Sequence, residues 1–273
     1  MSGETAAYWQ VAGKRWVEHQ AFLDRLFAPI GKAVIDAADP RAGERVLDVG
    51  CGAGATTFEA AWRTGPEGRA NGVDVSADLI ELARRRAGEQ GLEGVGFQLA
   101  DAQTEVFSPP FDAVVSRFGV MFFADPVAAF ANLRRALKPD GRLAFACWRS
   151  PADNAIAQVA MTAAAPFLPP IARPDKDAPG RFAFADPDRV RGILADSGWR
   201  AVAIAPLDDP APASLDEVMT MSLRVGPLSA ILAEQDAATR AAVHEAVARA
   251  LEAHVEDGVI AMNSACWLVT AKV

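Results

Sequence analysis

Residues 46–54, Val-Leu-Asp-Val-Gly-Cys-Gly-Ala-Gly, join a short apolar run to a turn of alternating glycines, and a helix-compatible run from Ala55 to Trp62 follows. That order reads as a strand, a loop and a helix. Glycine permits the tight turn and leaves main-chain N–H groups open to a ligand, because no Cβ intervenes. Gly50, Gly52 and Ala55 also meet the loose dinucleotide fingerprint, with Asp74 downstream for a ribose. Asp48 argues the other way: a carboxylate two residues before the first glycine repels a pyrophosphate and suits a ligand that carries an ammonium. The loop favours a zwitterion over a diphosphate.

Downstream, strand and helix patterns alternate. Gly72 to Val75 is apolar up to Asp74, and Ser76 caps a helix striped by Leu79, Leu82, Ala83 and Ala87. Residues 94–100 and 113–116 read as the third and fourth strands. Asp125-Pro126 heads a helix with Val127, Phe130, Leu133 and Leu137 on one face; residues 138–141 stop it, and 142–148 make the fifth strand. Upstream, residues 5–28 carry a helical period that ends before Pro29, and Ile30 to Ala38 reads as a second short helix. Such alternation implies a parallel, doubly wound α/β sheet whose ligands lie beyond the carboxyl ends of the strands. Asp48, Asp74, Asp101 and Arg117 all fall at or just after such ends.

Prolines 151, 166, 169, 170, 174 and 179 break the rhythm over residues 150–185, which reads as an insertion. A capped helix restarts at Asp186-Pro187 with Val190, Ile193 and Leu194 inward and ends at Gly198; residues 202–204 form a sixth strand. Residues 207–258 are a second insertion, with a helix from about Ala237 striped by Val243, Val247, Leu251 and Val255. Residues 267–273 are the last strand.

Five stretches carry a resemblance in their order and spacing: VLDVGCGAG (46–54), GVDVS (72–76), Ala100-Asp101-Ala102, FDAVVSRFG (111–119) and LKPDGRLAF (137–145). Together they resemble the class I S-adenosylmethionine-dependent methyltransferases, in the type 11 branch with the ubiquinone and menaquinone C-methyltransferases. Residues 265–271 are similar to the last strand of that family. The resemblance implies a mostly parallel, seven-stranded Rossmann-like sheet with its last strand antiparallel and an inserted helical cap. It implies an N-terminal helical lid at 1–40 and a cofactor-binding core at 41–149, completed by 186–206 and 259–273. Residues 150–185 and 207–258 are then the substrate-cap insertions.

The resemblance also assigns residues to S-adenosylmethionine. Gly50 and Gly52 present backbone to its methionine portion, with Asp48 near the ammonium. Asp74 accepts from the ribose hydroxyls, Asp101 meets the adenine amine, Leu79 and Ala102 pack the adenine, and Val75 is a further cofactor-binding residue. Trp16 and Gln20 are lid candidates, with core packing the alternative for Trp16 and for Leu79. Arg117 is either a partner for a carboxylate of cofactor or acceptor, or a solvated cation.

Methyl transfer from a sulfonium needs alignment and exclusion of water, with no metal and no covalent intermediate. Ser116 and Arg117 stand where metal-dependent relatives carry a carboxylate, and no Pro-Cys nucleophile is present. His19, His244 and His254 are proton acceptors by type, or surface residues; no catalytic residue is assigned. Phe122, Phe123, Trp148, Phe167, Phe182 and Phe184 wall an apolar pocket or pack a core. Cys51, Cys147 and Cys266 have no metal or redox spacing and read as small core residues.

A net charge of −8 over 273 residues opposes nucleic-acid binding. No apolar run reaches the roughly 18 residues of a membrane span, so a cytoplasmic enzyme acting on a small, partly apolar methyl acceptor is expected. An NAD(P)-dependent oxidoreductase is the alternative, and a non-catalytic cofactor-binding relative is a third reading.

Overall fold

Strand β1 (Arg45–Val49) is buried from Val46 onward because it runs between two parallel neighbours with helices over the sheet, which is why its sequence is apolar without alternation. A computed structural model describes residues 3–108, 110–170, 175 and 178–273. In it α1 (Gly3–Glu18) and α2 (Gln20–Ala38) precede β1. Then come α3 (Ala55–Thr64), β2 (Arg69–Asp74), α4 (Ala77–Glu89), β3 (Val95–Leu99), β4 (Phe111–Arg117), α5 (Pro126–Arg135) and β5 (Leu137–Trp148). The chain continues through α6 (Ala155–Ala164), α7 (Pro187–Asp196), β6 (Arg200–Ala213), α8 (Leu215–Thr220), α9 (Leu228–Ala233), α10 (Ala237–Glu252) and β7 (Ile260–Lys272).

The sheet has seven strands in the order β3-β2-β1-β4-β5-β7-β6. β1 to β5 pair in parallel, and β7 runs antiparallel to β5, with Arg142 opposite Lys272 and Trp148 opposite Cys266. The strand order reverses between β1 and β4, and crevices for ligands open at such a switch point. α2 lies on β4 and β5, α3 on β1 and β2, and α4 on β2 and β3. The doubly wound fold expected from the alternating pattern is therefore the fold observed.

Contacts divide the chain into two units. The first holds residues 1–148, 177–207 and 266–273; the second holds 149–176 and 208–265. The second has its own apolar core, in which Val243, Val247 and Leu251 of α10 pack with Ala160 and Ala164 of α6 and Val218 of α8. Pro174 lies outside the described residues.

Several local expectations need correction. The chain does not break at Pro29: α2 runs through it, and the break falls at His19 (φ −110°, ψ 16°). Proline removes its own N–H donor and its ring crowds the carbonyl four residues back, and the packing of Leu26, Phe27, Ile30 and Val34 holds the helix on either side against that cost. α5 ends at Arg135, so Leu137 belongs to β5, opposite Phe111, and not to the helical stripe. Ser76 sits at the N-cap of α4 without a side-chain cap bond. β6 and β7 are much longer than expected, and Val255 lies beyond α10 and is 36% exposed.

Candidate active site

The turn after β1 is closely packed at two of its glycines and open at the third. Gly50 (φ 68°), Gly52 (φ 54°) and Gly54 (φ 89°) all adopt the left-handed region, which favours glycine. They differ in what their missing side chains make room for. A Cβ on Gly50 would lie 2.6 Å from Gly119 Cα, so this glycine lets the turn touch the chain leaving β4. A Cβ on Gly54 would lie 2.8 Å from the Phe58 ring. A Cβ on Gly52 would meet nothing within 4 Å. Of the three, Gly52 is the position facing open space.

Asp48, near the end of β1, is 1% exposed. Its Oδ2 accepts a 2.7 Å bond from the Thr57 hydroxyl of α3, and its buried Oδ1 has no partner among the described residues. Burial pushes its pKa from 3.8 to about 7, against the Thr57 bond and the nearby Arg117 charge, which lower it. At the end of β2, Asp74 accepts 2.9 Å bonds from the N–H groups of Gly52 and Ser76, tying the glycine turn to the next strand end. Burial raises its pKa as well. An ionised carboxylate offers about four acceptor sites, so both oxygens retain capacity for a ligand.

Asp101 follows β3 and orders its own turn, accepting from Gln103 N at 3.0 Å. Ala102 and Leu79 are buried beside these strand ends, and Val75 is half-buried. α1 docks over the same edge: Gln10 Nε2 donates to Val75 O at 2.9 Å, and Gly13 packs so closely on Ser76 that an added Cβ would lie 2.1 Å from its Oγ. Trp16 stacks on Phe27 at 6.5 Å and meets Trp9 edge-on at 5.7 Å. Gln20 donates to Asp24, which pairs with Arg86 at 2.6 Å, and Arg86 in turn donates to Ala53 O of the glycine turn.

Arg117 closes β4. Burial lowers its pKa, with Asp24 and Asp48 as the compensating charges. Among the described residues its hydrogen bond goes to Phe27 O at 3.3 Å, and it has no ion pair. Phe118 follows with φ 68°, a conformation that bulky residues rarely adopt. It is held there by stacking on Trp148 at 4.6 Å and by an edge contact with Phe27 at 5.3 Å. Sequence reasoning missed Phe118 and Gly119, whose value lies in contacts with residues distant in the chain.

The aromatic candidates separate. Phe123 and Phe184 pack on Phe130 in the core, and Phe122 packs on Trp9. Phe167 belongs to the second unit and is 45% exposed. Trp148 and Phe182 lie under Arg181. His244 and His254 are exposed, and all three cysteines are buried and free. Among the described residues no three His, Cys, Asp or Glu side chains gather as a metal site, and no helix is long and apolar enough to cross a membrane.

The family described as a methyltransferase domain matches residues 40–168. Aklanonic acid methyltransferase DauC of Streptomyces sp. (strain C5) is 36% identical over 172 residues, which cover 61% of this chain and 74% of that protein. The chain is a class I S-adenosylmethionine-dependent methyltransferase.

Nocamycin O-methyltransferase of Saccharothrix syringae is 38% identical over 118 residues, covering 43% of this methyltransferase but only 42% of its relative. Two solved structures share the fold. The YcgJ protein of Bacillus subtilis matches with TM-score 0.59 at 20% identity, over 89% of this chain and 97% of that one. Phosphoethanolamine N-methyltransferase 2 of Haemonchus contortus, in complex with S-adenosyl-L-methionine, matches with TM-score 0.55 at 18% identity, over 90% and 52%. S-Adenosylmethionine is the cofactor, and the nicotinamide alternative is not favoured. These relatives do not single out the ubiquinone and menaquinone branch. The site fits the cofactor physically: Asp48 Oδ1 is a buried acceptor lacking a donor, and Gly52 presents bare backbone to open space.

Proposed function

We propose that this methyltransferase methylates an oxygen of a small, partly apolar organic acid or phenol, and that the strand ends from β3 to β1 hold the cofactor. The unpartnered Oδ1 of Asp48, buried beneath an open glycine turn, carries the assignment of cofactor residues. A carboxylate left without a donor in the interior is costly, and an ammonium removes that cost. Gly52 then receives the methionine portion against its backbone, and Asp74 accepts from the ribose hydroxyls. Asp101 takes the adenine amine, with Leu79 and Ala102 against the ring and Val75 beside the ribose. Arg117, a buried cation short of anionic partners, suits the cofactor carboxylate, and Gly50 acts by admitting Gly119. Trp16 and Gln20 support the edge from α1 and α2.

S-Adenosylmethionine supplies an electrophilic methyl group on a sulfonium. What the protein adds is alignment and a dry setting, which the rings of Phe27, Phe118 and Trp148 provide beside Arg117. The choice of an oxygen acceptor is supported by the names of the two relatives, an acid methyltransferase and an O-methyltransferase. Acceptor selection is assigned to the two insertions, residues 150–185 and 207–258.

Calorimetry with S-adenosylhomocysteine and with NAD tests the cofactor, and release of labelled methyl from S-adenosylmethionine onto a panel of carboxylic acids, phenols and amines tests the acceptor. Saturable binding of the homocysteine derivative with turnover on acids or phenols is expected. Binding of NAD alone, or turnover confined to amines, overturns the reading.

A further inference from the structure

Arg181 is a cation of the first unit whose position the cofactor does not explain. Its guanidinium carbon lies 4.0 Å from the centre of the Trp148 ring and 5.2 Å from that of Phe182. It has no hydrogen bond or ion pair among the described residues, and its Nε is buried without a partner. Burial pushes its pKa down to about 10, so it still carries its charge at neutral pH. A stacked guanidinium keeps its N–H groups in the plane of the fork, free to bind an oxyanion at two points.

Its place along the sheet gives the identity of that oxyanion. Asp101, Asp74 and Asp48 follow one another across the ends of β3, β2 and β1, and β4 and β5 come next. The adenine, ribose and methionine portions assigned to those ends leave the sulfonium pointing toward the β4 and β5 side. Trp148 ends β5, and it stacks on Phe118 just past the end of β4. Arg181 therefore stands on the acceptor side of the cofactor.

We propose that Arg181, stacked on Trp148, binds an anionic oxygen of the methyl acceptor, so that the enzyme selects acidic aromatic molecules over neutral ones of the same shape. The proposal rests on the methyltransferase reading of the same site and deepens it. The anion is a carboxylate or an ionised phenol, and the apolar surface around it takes the body of the molecule.

The test uses the full chain saturated with S-adenosylhomocysteine and titrated with 2-naphthoate, 2-naphthol and the neutral 2-naphthamide. The wild-type protein is expected to bind the acid at least tenfold more tightly than the amide, and comparison with naphthol separates a carboxylate from a phenolate. Arg181→Met is expected to weaken the acid by about tenfold to a hundredfold, the range for a hydrogen bond to a charged group. The amide changes less than threefold, and the affinity for S-adenosylhomocysteine stays within twofold. Arg181→Gln is the second variant, for use if the first does not fold, with the same expectation. Equal loss for acid and amide, no wild-type preference, or no saturable binding of any probe overturns the proposal. Failure of the methyltransferase reading looks different: no binding of S-adenosylhomocysteine, whatever the naphthyl probes do.

Discussion

At the scale of single residues, Asp48 couples the cofactor to the stability of the empty protein. Its folded pKa of about 7 lies above its ordinary 3.8, so the folded protein keeps a proton that the unfolded chain has released. The penalty for ionising it is absent below pH 3.8, grows as the pH rises, and is complete above about 7. Three pH units correspond to roughly 4 kcal/mol at most, and relaxation around the site makes the real figure smaller. Asp48→Asn removes the titration. Without cofactor, the variant is expected to melt above the wild type at pH 8 and to converge with it near pH 4; a gap that widens as the pH falls contradicts the assignment. The same substitution should cost at least tenfold in S-adenosylhomocysteine affinity at pH 8. Wild-type affinity should fall as the pH drops through 7 while that of the variant stays flat, measured by calorimetry. The glycines of the turn separate by the same logic. Gly52→Val places its side chain in open space, at a backbone strain of about 1 to 2 kcal/mol, and is expected to fold but not to bind the cofactor. Gly119→Ala drives a Cβ to 2.5 Å from Val49 O and 2.8 Å from Gly50 Cα, both backbone atoms where β1 runs into the glycine turn. It should lower the melting temperature sharply or prevent folding; a Gly119→Ala protein as stable as the wild type contradicts the close approach.

At the scale of elements, α1 is a docked helix whose grip on the cofactor edge depends on two small features. One is the bond from Gln10 to Val75 O, and the other is the absence of a side chain at Gly13 over Ser76. Gly13→Val should lift α1 from α4 while leaving the sheet intact. Amide exchange is expected to accelerate in residues 7–18, with S-adenosylhomocysteine affinity falling several-fold, because the edge beside Asp74 loses its cover. Unchanged exchange in α1 rules the contact out as the helix's anchor. This element also marks how far a sequence can be read. The amphipathic period of residues 5–28 shows that helix is present, and Pro29 draws the boundary to the wrong place. The true break at His19 carries no proline or glycine, and its position is set by Leu23, Leu26 and Phe27 turning inward together. The end of α5 was hidden for a similar reason, since Leu137 fits a helical stripe as well as a strand and only its pairing with Phe111 decides.

At the scale of the whole molecule, the fold and the acids at the strand ends were legible because each depends on local pattern: an apolar strand, a terminal carboxylate and a glycine turn recur in fixed order. The roles of Phe118, Gly119 and Arg181 were not: the stretch 111–119 is legible as a motif, but what Phe118 and Gly119 touch is not, and nothing local distinguishes Arg181. Gly119 matters through Gly50, 69 positions earlier in the numbering, and Arg181 through Trp148, 33 positions earlier. The division into two units rests on a similar long-range fact, since residues from 149–176 and 208–265 share one core. That core makes the last prediction. Leu251 is fully buried among Val243, Val247 and the α6 alanines, so Leu251→Ala should destabilise the second unit by about 2 to 5 kcal/mol. The strand ends assigned to the cofactor all belong to the first unit, and their hydrogen bonds do not involve residue 251. Faster amide exchange is therefore expected in α6 and α10, with the affinity for S-adenosylhomocysteine within twofold of the wild type. If residues 207–258 take part in selecting the acceptor, methyl transfer falls through a higher KM for the acceptor while the KM for S-adenosylmethionine stays unchanged. Parallel loss of cofactor affinity would mean that the two cores fold as one cooperative body, and the division of labour between them would have to be abandoned.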